Sequence, residues 1–327
     1  MGFAKDKLST NAMGGTELMK YELSSRIEPE LLDEFQIFLS RVEEDLDETK
    51  IRLYWVHDLP GDPAAEHLKN GGWDKFHKIV FASNWQMQAF ISHYQIPWSK
   101  CVVMQNAINP IDHHVKPNDG VIRLAYWSTP HRGLNILLPV FSKLCETHDN
   151  IELDVYSSFK LYGWEERDSQ FEALFNDCRS HSKINYYGSV PNSVIRENLK
   201  KTHILAYPNT WPETSCITLM EAMSAGILAV HPNFAALSET AANWTYMYQW
   251  NDNVNEHAGT FYGVLENAIN NLSDERLQMQ LQAQKSYADG FYNWNNREFQ
   301  WRALLTSLLN VPRAITKPQT FFQYKVG

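Results

Sequence analysis

Cysteine is scarce in this sequence and widely scattered. The 327 residues include four, Cys101, Cys145, Cys178 and Cys216, with no C-x-x-C pair among them. That argues against a disulfide frame or a zinc site on paired cysteines, and reads as buried free thiols in a reducing compartment. No apolar run approaches a membrane span, and the opening MGFAKDKLSTN lacks a signal-peptide core. The expectation is a cytoplasmic protein with no transmembrane segment. Basic runs beyond pairs are missing too. With 29 Lys and Arg against 38 Asp and Glu, the formal charge is -9, which speaks against a nucleic-acid groove. No solenoid repeat or low-complexity segment interrupts the chain.

What remains is an ordinary globular composition, 44% hydrophobic and 20% charged, long enough for two cores. The aromatic share of 13% fits either a carbohydrate-binding surface or a large core. Short β-rich runs alternate with helix-period segments, which predicts βα units and mainly parallel sheets. Strands are expected at 35–42, 51–57, 78–84 and 101–107, then at 121–128, 151–158, 184–188, 204–209 and 227–232. Between the groups lies INPIDHHVKPNDG, with two prolines and no periodicity, which reads as a linker. The expected fold is α/β with two Rossmann-like doubly wound domains. The first spans 1–112 and the second 113–300, with a terminal helix and tail at 301–327.

The most informative stretch is WPETSCITLMEAMSAG, Trp211 to Gly226. It follows a buried strand, ILAYPN, and holds a turn, a helix start near Thr214 or Ser215, and a glycine stop. A helix N-terminus at the carboxyl end of a parallel strand suits an anionic ligand. The amides of Cys216, Ile217 and Thr218 would face a phosphate, with the helix dipole behind them. Glu213 and Glu221 would then flank that phosphate. Carboxylates repel phosphates but accept paired hydrogen bonds from vicinal hydroxyls. A nucleotide sugar meets both demands, with Glu213 on the sugar and Glu221 on the ribose. The bland alternative is a solvated turn acid and a local cap.

Other motifs are open on residue type alone. Gly14 and Gly15, ahead of a helix capped by Thr16, allow close backbone approach to a ligand or form a mere tight turn. His57 and Asp58 end an apolar strand and could form an acid–base pair or be structural. Ser83 and Asn84 end another strand with polar groups able to position a hydroxyl. Arg132, before Gly133 and a helix, offers a permanent cation for a pyrophosphate, with Ser128 or Thr129 beside it. Asp45-Leu46-Asp47 has the spacing of a metal motif, but a solvated charge run is the better reading in so acidic a stretch. No metal or other cofactor is expected.

The stretch ILAYPNTWPETSCITLMEAMSAGILAVHPNFAALSET closely resembles the donor-site region of the retaining glycosyltransferases of the GT-B fold, often called family four. The E-x7-E acids bracket a helix start, and AALSE puts Glu239 at the acid of the following small-residue turn. The likeness extends loosely from MGGTELM to WRALL. It implies a short member of that family: a metal-independent hexosyltransferase that moves a sugar from a UDP- or GDP-linked donor with retention. By the same resemblance the glycine loop faces the donor, His57 lies near the reacting sugar, Asp58 and Asn84 belong to the acceptor side, and the backbone at Gly188, Ser189 and Val190 reads the base. Two departures stand out. Trp127 occupies the place of a second cation, and only MGFAKDKLSTNA stands where the family's first domain begins with a central strand. TFFQYKV at the tail is β-prone enough to replace that strand. The acceptor (glycan, lipid or protein) and the oligomeric state are left open. The alternatives are a non-catalytic or hydrolytic nucleotide-sugar-binding protein, or another GT-B enzyme such as an epimerase or phosphorylase.

Overall fold

A computed structural model describes residues 2–4 and 14–315. After helices α1 (Gly15–Arg26) and α2 (Pro29–Leu32) come β1 (Phe35–Leu39), β2 (Ile51–Val56), β3 (Lys78–Phe81), α3 (Asn84–Tyr94) and β4 (Cys101–Val103). The four strands form a parallel sheet in the order β1-β2-β3-β4. Every side chain of β1 and β2 is buried. Apolar residues cover both faces, as a parallel sheet under helices requires.

The missing first strand has a partial answer in the opening residues. Phe3 forms an isolated parallel bridge to Ile37 on the free edge of β1. The Ile37 amide donates to Gly2 O at 2.8 Å, and the Ala4 amide to Ile37 O at 2.9 Å. Gly2–Ala4 thus pair with the edge of β1 in the segment where the resemblance implied a strand and the sequence reading found none. The tail segment TFFQYKV lies outside the described residues.

The linker of residues 108–120 leads to β5 (Ile122–Trp127), α4 (Leu134–Leu144), β6 (Ile151–Tyr156), α5 (Glu172–Ser180), β7 (Ile184–Tyr186), α6 (Asn192–Leu199) and β8 (Ile204–Ala206). Then follow α7 (Ile217–Ser224), β9 (Leu228–Pro232), α8 (Leu237–Ala241), β10 (Tyr246–Tyr248), α9 (Val254–Asn270), α10 (Glu275–Phe291) and α11 (Trp294–Leu308). The second sheet is parallel, in the order β10-β9-β8-β5-β6-β7. The chain reverses direction across it between β5 and β8, the switch point where such sheets bind ligands. All nine expected strands form. The tenth, Tyr246–Tyr248, is only three residues long and went unread.

Helix α11 returns to the first sheet. Trp294, Trp301, Leu305 and Leu308 pack in one core with Leu23, Phe35, Ile37, Leu53 and Trp55. This crossing helix starts at Trp294, earlier than the boundary at 301. At the crossing the Ile108 amide donates to Tyr292 O at 2.8 Å and the Trp294 amide to Ile108 O at 3.2 Å, so both connections between the halves run side by side.

Candidate active site

A cleft of about 1130 Å³ lies between the carboxyl ends of the two sheets. From the second sheet, the loop after β8 carries Glu213 to its wall. Helix α7 begins at Ile217 with Cys216 as N-cap, one or two residues later than a cap at Ser215 or Thr214 would have started it. The Thr214 hydroxyl instead donates to His57 O of the other sheet at 3.0 Å, which removes it from capping. Gly226 follows the helix at a positive φ of 61°.

The loop after β5 is pressed against the loop after β8. Gly133 has φ +108°, and a Cβ there would lie 2.0 Å from Pro208 O. Only glycine permits this approach, and it sets Arg132 beside Glu213. Arg132 Nη1 donates to Glu213 Oε1 at 2.7 Å, and the Tyr207 hydroxyl donates to the same oxygen at 2.6 Å. Glu213 is buried. Burial works against the Arg132 charge, but Glu213 and the nearby tyrosines Tyr162 and Tyr207 overcome it and hold the guanidinium's pKa well above its ordinary value. Arg132 Nε is buried without a partner. Arg132 and Glu213 were expected to serve separate parts of a ligand, and here they bind each other.

Glu221, also buried, is met by Arg196 of α6 at 3.1 Å. Burial raises its pKa, and Arg196 and Asn192 oppose the shift. Arg196 Nη2 donates to Asn109 O and Pro110 O, so the linker helps to hold the acid's partner.

The first sheet supplies the opposite wall. Gly14 caps α1, and a Cβ on it would fall 2.6 Å from the Tyr162 ring of the second domain. Gly15 lies close to Ile217 at the α7 tip, where an added Cβ would sit 3.3 Å from Cδ1. The glycine loop thus meets the helix tip across the cleft. His57 is partly buried against Trp55, with ring centroids 4.8 Å apart. Burial lowers its pKa to about 4, opposed only in part by Asn106. Both its nitrogens and Asp58 Oδ2 lack hydrogen-bond partners, so the expected acid–base pair between them is not made. Burial, then Asp62, pushes Asp58 up to about 6.

Gly15, His57, Asp58, Ser128, Arg132, Ser189, Val190, Glu213, Ser215, Cys216, Ile217, Thr218 and Glu221 all line this one cleft. Asn84 does not face it as expected. Its backbone and side-chain nitrogens donate to Glu239 of the second domain, and it is not among the residues lining the cleft. Trp127, in the place of the second cation, lines the wall, and its carbonyl accepts from the Thr218 hydroxyl at 3.1 Å. Arg167 lines the same cleft and brings a cation that the motif did not. Together with burial and Arg132 it lowers the pKa of His131 to about 4.

Sequence reading missed Tyr207, Arg196 and Tyr162. Tyr207 was visible in ILAYPN, but as a buried strand residue. Arg196 meets an acid 25 residues away, which no local spacing announces. Tyr162 reaches Arg132 at 3.4 Å from a loop after β6 that has no motif of its own. Among the described residues, no group of three or more His, Cys, Asp or Glu side chains could hold a metal ion, and no helix is long and apolar enough to cross a membrane. Asp47 of the rejected acidic motif accepts from the Thr49 amide and hydroxyl in a local turn.

Residues 125–284 match the family described as glycosyl transferases group 1. No curated protein matches the chain by sequence. Solved structures do match it. A glycosyltransferase from Rickettsia africae ESF-5 has a TM-score of 0.67 at 15% identity, covering 94% of this chain and 84% of that one. Anabaena Alr3699/HepE in complex with UDP has a TM-score of 0.65 at 13% identity, covering 89% and 82%. The sucrose-phosphate synthase of Thermosynechococcus elongatus has 0.64 at 11%, covering 84% and 73%. At such identities the likeness is one of fold. Residues 125–284 thus match glycosyl transferases group 1, and the molecule has the two-domain, Rossmann-like GT-B fold of these solved glycosyltransferases.

Proposed function

We propose that the chain transfers a hexosyl group from a nucleoside diphosphate sugar to an acceptor hydroxyl with retention of anomeric configuration. One observation carries the reading: Arg132 and Glu213 meet at the tip of α7, opposite Gly15 and His57, with Glu221 one helix turn or more beyond. A diphosphate entering there competes with Glu213 for Arg132. Once Arg132 and the amides of Ile217 and Thr218 hold the phosphates, Glu213 is released toward the sugar hydroxyls. The base lies along Gly188 to Val190 and the ribose against Glu221. As the bond to the sugar breaks, charge builds on the departing diphosphate oxygen. Arg132 and the helix tip stabilise it with groups already oriented before the reaction. Neutral His57 faces the sugar from the far wall, where it can accept a hydrogen bond.

The matching Anabaena structure is described as a complex with UDP, and this makes UDP-sugars the first donors to test. The experiment is release of nucleoside diphosphate across UDP-, GDP- and ADP-linked sugars, with and without candidate acceptors. NMR of the product then reads its anomeric configuration. Release that depends on an acceptor, with the donor's configuration kept, is expected. Inverted product would overturn retention. Release into water alone would favour the hydrolytic alternative, and binding without release a non-catalytic one.

A further inference from the structure

Glu239 stands outside the cleft, yet its carboxylate accepts four hydrogen bonds from the first domain. Its Oε1 accepts from the Asn84 amide at 3.0 Å, the Asn84 side chain at 2.9 Å and the Gln105 side chain at 3.1 Å. Its Oε2 accepts from the Trp85 amide at 3.0 Å. Asn84 and Trp85 are the first residues of α3 in the first domain. Their amides have no partner within that helix, and a carboxylate is the group that both the free amides and the helix dipole favour. A second-domain side chain therefore completes a first-domain helix.

The turn that presents Glu239 is itself fastened to the site. The Ala236 amide donates to Glu213 O at 3.0 Å. Ala235, just before it, is held at φ +53°, a left-handed conformation that costs energy for any residue with a Cβ. Phe234 stacks on Trp250 at 4.1 Å, and the Trp250 amide donates to Asn233 Oδ1 at 2.7 Å, which anchors the turn from behind. One rigid turn thus touches the backbone of Glu213 at one end and the tip of α3 at the other.

We propose that Glu239 is a positioning residue, a latch that holds the two domains closed and fixes the Glu213 loop in the closed state. The proposal builds on the reaction assigned to the cleft. Arg132, Glu213, Glu221 and the α7 tip all belong to the second domain, so the donor's phosphates and ribose stay bound whether the latch is made or not. His57 and the glycine loop come from the first domain, and their alignment with the sugar requires closure. Breaking the latch therefore separates binding from turnover.

The test is Glu239→Ala, read by hydrogen exchange at α3, by small-angle scattering and by kinetics. Faster exchange at Asn84 and Trp85 and a larger radius of gyration without ligand are expected. Affinity for UDP or GDP, whichever the unmodified protein binds, should stay within about 3-fold, while kcat falls about 10-fold or more. Glu239→Gln keeps the Oε1 side but sets an amide against the Trp85 amide, and should fall between. Gln105→Ala removes one bond from the first-domain side and serves the same test if Glu239→Ala does not fold. Unchanged exchange and scattering would overturn the latch. So would equal losses in affinity and kcat, the mark of general damage. Exchange and scattering need no donor, so they remain decisive even if the unmodified chain transfers no sugar.

Discussion

The two domains face one cleft with unequal means. The second has six strands, a helix tip, Arg132 and both acids of the E-x7-E pair. The first has four strands with Gly2–Ala4 added at one edge, and offers a glycine loop and a partly buried histidine. The second also holds its groups more tightly. Glu213 is tied through its side chain to Arg132 and Tyr207 and through its backbone to Ala236. His57 has no hydrogen-bond partner at either nitrogen. On the function proposed above, grip on a ligand is concentrated in one half, and the other half is left to complete the chemistry.

Four changes would sharpen or break that contrast. Glu213→Ala should lower turnover about 1000-fold, a loss of the size expected for a group that acts on the reacting centre. Affinity for the nucleoside diphosphate should hold or rise, because Arg132 is freed for phosphate. Arg132→Ala should weaken nucleoside diphosphate binding about 100-fold, measured by calorimetry, by removing the partly buried cation paired with Glu213 at the tip. Glu221→Ala should raise the donor KM about 10-fold with kcat within about 3-fold, the pattern of an interaction equal in ground and transition states. Equal, mild effects at Glu213 and Glu221 would dissolve the division between them.

The smallest effect concerns pH. With its pKa lowered to about 4 by burial, His57 stays uncharged from pH 5 to 8. His57→Gln should therefore leave the shape of the kcat/KM profile unchanged over that range. The same shift has a stability consequence. The unfolded chain takes up a proton near the ordinary histidine pKa while the folded one does not, so stability falls as pH drops from about 6.5 toward 4. His57→Gln should flatten that part of a melting-temperature profile. An inflection in activity near 6.5 that disappears in the variant would show that His57 ionises.

Much of this was readable in the sequence where one short segment does the whole job. WPETSCITLMEAMSAG gave the loop, the helix and its stop, because strand, turn and glycine signals lie within a few residues of one another. The start of α7 lies one or two residues later than expected, and Thr214 cannot cap it because it spends its hydroxyl on His57 O, a contact between domains. Asn84 was misread for the same reason: its partner is 155 residues away. Arg196 and Tyr162 were invisible because each acts on a residue far along the chain. Side-chain partners across a cleft leave no periodicity behind.

The crossing helix has a consequence for how the molecule is made. Trp301 stacks edge-on against Trp55, with centroids 4.7 Å apart, in the core beneath β1 and β2. A ribosome releases the first sheet long before it releases α11, so that sheet waits with a large apolar hole where two tryptophans and two leucines belong. The half synthesised first is the half completed last. Its early life depends on the later half folding promptly and carrying the missing wedge back to it.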